Sequence, residues 1–110
     1  FEIMLNNFIK NNFIPKIKID GVFAVTDKYA LNFIKKIKNL KINIPDDVQI
    51  IGFDGSKSSI EDDFKISTIR QPVELIAKES VKILLKIIES KKVEKEVILP
   101  IKFIKGYTTK

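Results

Sequence analysis

Residues 48–59 read VQIIGFDGSKSS, an apolar run that ends on Asp54 and passes into Gly55, Ser56, Lys57 and two further serines. A phosphate-binding loop, a phosphorylatable aspartate, half of a carboxylate pair, a ligand hook and an ordinary turn all draw on these residue types. The phosphate loop is disfavoured by spacing. It places four residues between its glycines and a lysine directly after the second, so that backbone N–H groups wrap the phosphates. Here two residues separate Gly52 from Gly55, and Ser56 stands before Lys57. A phosphoacceptor aspartate needs further acids to hold magnesium beside it. Asp27 is the one other acid expected near a strand end, and it also suits a helix start. Asp46 with Asp47, and Glu61 with Asp62 and Asp63, are adjacent in sequence but need not converge, and turns or solvated helix starts account for them. The hook remains open beside the turn. In open parallel sheets ligands bind beyond the carboxyl ends of the strands, where Thr26, Asp27, Phe53 and Asp54 would offer a hydroxyl, two carboxylates and a ring to a neutral polyol.

These side chains need elements to carry them. Phe1, Met4, Leu5, Phe8 and Ile9 recur at helical spacing until Asn11, Asn12 and Pro15. DGVFAVT, residues 20–26, reads as a strand buried on both faces. A helix capped by Thr26 or Asp27 follows at once, with Ala30, Leu31, Ile34 and Ile37 on its apolar face and lysines in its last turns. Pro45, Asp46 and Asp47 make a turn before a second apolar strand, Val48 to Phe53. Two such strands joined by a helix form a right-handed parallel unit, which predicts an α/β fold with a parallel Rossmann-like sheet flanked by helices. ISTIRQ, residues 66–71, reads as a short strand, and a helix runs from Val73 to about Ser90 behind Pro72. At about 100° per residue its apolar positions cover an arc of about 200°, twice that of a one-sided surface helix. It therefore seeks neighbours on two sides, and self-association is expected wherever it lacks them. Residues 94–106 alternate imperfectly around Pro100, as an edge strand would.

Composition narrows the chemistry further. The 110-residue chain suits one domain or a piece of one, and 45% hydrophobic with 31% charged residues indicates a globular chain with a core. No apolar run approaches the roughly 20 residues of a membrane span. Without cysteine or histidine there is no thiolate nucleophile, no disulfide and no imidazole base or ligand, so neither a cofactor nor a metal is expected. The net charge of +6 rests on lysines scattered singly or in pairs, with Arg70 the sole arginine. Scattered lysine reads as a solvated surface before it reads as a nucleic-acid face. The chain opens directly in a helical pattern without an initiator Met or a capping residue, and is expected to be part of something longer.

DGVFAVTDKYAL, IPDDVQIIGFD, ISTIRQP and VILPIKFIKGYTT stand in the order and spacing of the C-terminal part of the lactose/galactose repressor family of bacterial transcription regulators. In its four linked motifs the chain resembles that family from end to end. The resemblance implies a non-enzymatic core of the type 1 periplasmic-binding-protein fold. Its two lobes clamp a small effector, a sugar or sugar derivative, while a helix-turn-helix domain upstream contacts DNA. Residues 1–71 would belong to the C-terminal lobe, 72–93 would be a crossover helix belonging to the other lobe, and 94–110 would return as a strand. A cytoplasmic homodimer with no membrane contact is implied; the rival reading is a periplasmic sugar receptor of a transport system.

Position by position, the resemblance puts Asp54 at the family's effector-binding carboxylate and Thr26 with Asp27 at a second frequent contact. Phe53 would lie beside them, and Gln71 and Val73 would line the cleft from the crossover. Leu31, Ile34, Ser56 and Phe64 match a region through which relatives dimerise, although Leu31 and Ile34 could equally face their own core. Departures concern the effector and not the family: Thr26 replaces a longer amide, Gly55 a frequent second aspartate, and DDFK a frequent Pro-Pro.

Overall fold

The computed structural model describes residues 2–13, 19–56 and 65–110, with the side chains of Asn12 and Phe13 left aside. Phe64, Lys57, Ser58 and the 61–63 acids lie outside the described residues. The chain divides into two units, one of residues 1–70 with 103–110, the other of residues 71–102.

In the first unit, helix α1 spans Glu2–Phe13 and strand β1 spans Gly21–Phe23. Helix α2 follows over Asp27–Ile37 and closes through a 3-10 turn, Lys38–Leu40, whose end is turned back by Lys41 in the left-handed region. Strands β2, Gln49–Asp54, and β3, Ser67–Arg70, come next, and β4, Lys102–Ile104, completes a sheet of order β1-β2-β3-β4. Pairing of β1 with β2 and of β2 with β3 is parallel, with Val22 opposite Ile50 and Gly52 opposite Thr68, as the crossover reading requires.

The core lies between this sheet and α2. Ala30, Phe33, Ile34 and Ile37 recur on one helix face and meet Ala24, Val48, Ile50 and Ile66. Thus Ile34, for which a dimer surface and a core position stood open, is a core residue; Leu31 is half-buried against the same cluster. From α1, Ile9 joins this core, and Phe8 sets its ring 6.3 Å from that of Phe33.

Two strand expectations need correction. β1 is not buried on both faces: among the described residues it is an edge strand beside β2, and Phe23 is 61% exposed while Val22 points to the core. The last strand shrinks from 94–106 to β4, because Pro100 has no N–H for a ladder and the residues before it take no regular structure.

The second unit holds helix α3, Val73–Ile88, and the irregular segment after it. No residue of α3 is buried. Val73, Val81, Leu84, Leu85, Ile87 and Ile88 are each more than half exposed, so the two-sided apolar arc read from its sequence meets no two-sided packing.

Candidate ligand site at the strand ends

β1 and β2 run parallel with Phe23 opposite Ile51, so the residues that follow β1 and the last residues of β2 lie toward one edge of the first unit. Ala24 donates its N–H to the Ile51 carbonyl at 2.8 Å, carrying the pairing one residue past β1. Thr26 then takes extended backbone angles, φ −145° and ψ 156°, and its Oγ1 accepts the Tyr29 N–H at 3.3 Å as the N-cap of α2. A cap hydroxyl that accepts in this way keeps its own proton for another partner.

Asp54 ends β2 with φ at 122°, and Gly55 follows with φ at 64°. The first value is uncommon for any residue with a Cβ, costs about 1–3 kcal/mol and persists only where the surroundings impose it. Gly55 has a steric reason for its identity as well, since a Cβ there would collide with the Cα and Cβ of Arg70. Asp54 is half-buried and lies opposite Arg70 in the β2–β3 register. On the other side of the strand ends, Phe53 meets Phe23 edge to face, with ring centroids 6.3 Å apart and planes at 78°.

Asp27 has a different setting from the one its sequence position suggested. It is 2% exposed, and its carboxylate is turned inward. Oδ2 accepts the N–H of Gly55 at 2.9 Å and that of Ser56 at 3.3 Å, while Oδ1 accepts the hydroxyl of Thr68. Gly52 lets that carboxylate approach the strand, because a Cβ at this position would collide with Oδ1. Both carboxylate oxygens of Asp27 are thus engaged within the fold.

Thr26, Asp27, Phe53 and Asp54 thus share one edge of the first unit. Gln71 and Val73 belong to the second. There Gln71 is half-buried and borders a groove of about 520 Å³ whose other lining includes Ile76, Glu79, Ile83 and Leu99; Val73 is exposed at the start of α3. Ser56 is exposed. Among the described residues no group of three acids stands ready to hold a metal, and no helix is long and apolar enough to cross a membrane.

Reading the sequence overlooked a buried hydroxyl network on β3 and the C-terminal segment. Besides Thr68, Ser67 bonds Thr109 Oγ1 at 2.7 Å and accepts the Gly106 N–H at 2.9 Å. Thr108 accepts the Ser67 N–H at 2.9 Å and donates to the Ile50 carbonyl at 2.6 Å. The one available signal was a Ser-Thr pair in a strand whose neighbours are apolar.

Comparison with known proteins places this architecture. A model of the periplasmic binding protein-like domain matches residues 3–109. The sucrose operon repressor of Streptococcus mutans is 38% identical over 90 residues, covering 81% of this chain and 28% of that repressor. Among solved structures, a periplasmic binding protein/LacI transcriptional regulator from Alkaliphilus metalliredigens complexed with D-xylulofuranose is 32% identical with a TM-score of 0.78, over 99% of this chain and 41% of that one. The lac repressor dimer bound to operator and an anti-inducer superposes with a TM-score of 0.83 over 97% of this chain and 36% of that one. At 21% identity it speaks for the fold alone.

Proposed function

The chain belongs to the periplasmic binding protein-like domain family, and from that premise we propose that it is the C-terminal part of the effector-binding core of a bacterial transcriptional repressor. The observation that carries this reading is its 38% identity over four-fifths of its length to a sucrose operon repressor. A regulator of this kind works in the cytoplasm as a dimer and contacts DNA through a helix-turn-helix domain outside these residues. It catalyses no reaction. The similarity to repressors favours regulation over transport as a receptor.

The effector is a sugar or sugar derivative. Asp54 is the hook: a half-buried carboxylate at the end of a parallel strand, in the position where open α/β sheets receive ligands. Thr26 adds a hydroxyl and Phe53 an apolar face, the mixture that a polyol ring with its C–H face and its hydroxyl rim requires. Gln71 and Val73 follow in the second unit as further candidate contacts. Closing on the sugar would shift the equilibrium between two arrangements of the core, and with it the affinity for operator DNA.

Titration calorimetry of the intact protein against a panel including sucrose, D-ribose and D-xylulose tests this. One sugar is expected to bind, and Asp54→Ala to weaken it tens-fold or more, because two charge-assisted hydrogen bonds contribute about 1.5–3 kcal/mol each. A variant that binds as tightly as wild type would remove Asp54 from the site. Magnesium-dependent labelling of Asp54 by acetyl phosphate would instead mark a phosphoacceptor.

A further inference from the structure

We propose that Asp27 is a positioning residue that fixes the backbone after Asp54 and so aims the Asp54 carboxylate, without itself touching the effector. The inference rests on the reading of Asp54 as the effector hook.

Asp54 and Gly55 both have positive φ, 122° and 64°. A residue with a Cβ persists in such a conformation where the surrounding fold supplies a restraint. Here the restraint falls on the next two peptide groups. Asp27 Oδ2 receives the N–H groups of Gly55 and Ser56, and Oδ1 receives the Thr68 hydroxyl from the middle of β3. One carboxylate, 2% exposed, thereby ties the first turn of α2, the centre of β3 and the residues that leave β2. Thr68 is fully buried, so its hydroxyl has no solvent alternative, and it holds the carboxylate by the oxygen that the two N–H groups leave open. Gly52 and Gly55 fit the same arrangement, the first by admitting the carboxylate and the second by passing beneath Arg70. An anionic acceptor suits two converging N–H donors better than a neutral one.

The test is amide hydrogen exchange in the full chain, read at Gly55 and Ser56 with Ile50 and Ile51 as internal controls of the strand. Asp27→Ala and Thr68→Val are expected to speed exchange at Gly55 and Ser56 about tenfold or more while the controls hold. Asp27→Asn keeps one oxygen for both N–H groups and should retain most protection, and Thr68→Ser should match wild type. Unchanged exchange at Gly55 and Ser56 in Asp27→Ala would overturn the anchor. If that variant loses protection at the controls too, it has unfolded, and Thr68→Val decides by the same measure.

Affinity for whichever of sucrose, D-ribose or D-xylulose binds gives the second readout. Thr68→Val is expected to weaken binding about tenfold when Asp54 is present and to change nothing in an Asp54→Ala background. Equal weakening in both backgrounds would overturn the positioning role. Should Asp54→Ala itself leave affinity unchanged, the hook reading falls and aiming falls with it, while the exchange data still judge the anchor separately.

Discussion

At Asp54 a residue with a side chain occupies backbone angles that glycine adopts more readily. Strain at such a position persists when the surroundings over-determine it, and it tends to collect where a side chain must be presented at a fixed angle. Asp54→Gly separates the two consequences. Relief of about 1–3 kcal/mol of strain is opposed by about 0.5–1 kcal/mol of added unfolded-state entropy and by the loss of the side chain's contacts. A net gain of up to about 1 kcal/mol is expected, seen as a thermal midpoint several degrees higher, together with loss of sugar affinity. A lower midpoint would mean that the carboxylate stabilises the fold more than its backbone strains it. The candidate role of Asp54 could be read from one window, since an apolar strand ending in a carboxylate is a local pattern. That of Asp27 could not. A carboxylate at the first helical position looks the same in sequence whether it faces water or folds inward, and what turns it inward is Thr68, 41 residues away.

The elements follow the same division between local and distant causes. Periodicity and caps gave α1, α2 and α3, and the two apolar runs gave a parallel pair, because each signal lies within one turn or one strand. The exposure of β1 depends on its edge position among the described strands, and the short β4 depends on how far residues after Pro100 can keep a ladder, neither of which a window records. Least legible was the way the C-terminal segment is held. Thr108 is 3% exposed and joins β3 to β2 through the Ser67 N–H and the Ile50 carbonyl, and the Ile50 N–H returns to the Thr108 carbonyl at 2.8 Å. Thr108→Val keeps the shape and removes the hydroxyl, leaving a buried donor and a buried acceptor without it. At about 1–3 kcal/mol for each unsatisfied group, a loss of about 2–6 kcal/mol is expected in urea unfolding. Thr108→Ser should stay within about 1 kcal/mol of wild type, and equal losses in both variants would point to the methyl group instead of the hydroxyl.

For the whole molecule, the two units differ in what they bury. Among the described residues the first encloses an apolar core between sheet and helices, whereas no residue of α3 in the second is buried. Ala77, Val81, Leu84 and Ile88 recur at spacings of four, three and four, the seam of a helix that pairs with another helix. Along the same helix Glu74 and Glu79 lie in the first half with Lys78 between them, and Lys82 and Lys86 lie in the second. Antiparallel pairing with a second copy would bring these opposite charges together while covering the seam, and each fully covered Val, Leu or Ile contributes about 1.5–3 kcal/mol. The net charge of +6 opposes association, but exposed ion repulsion is screened within about 8 Å at physiological salt. The 110-residue chain alone is therefore expected to associate, with a mass from light scattering that rises with concentration. Leu84→Glu with Val81→Glu should return it to a monomer whose thermal midpoint no longer depends on concentration, since both residues are exposed in the single chain. If the wild-type chain stays strictly monomeric at high concentration, the seam does not pair. On the proposed function the other lobe of the intact core covers this helix, so the same two substitutions should destabilise the intact protein while they solubilise the isolated chain. That reversal of sign is the measurement that ties the exposed helix to a larger core.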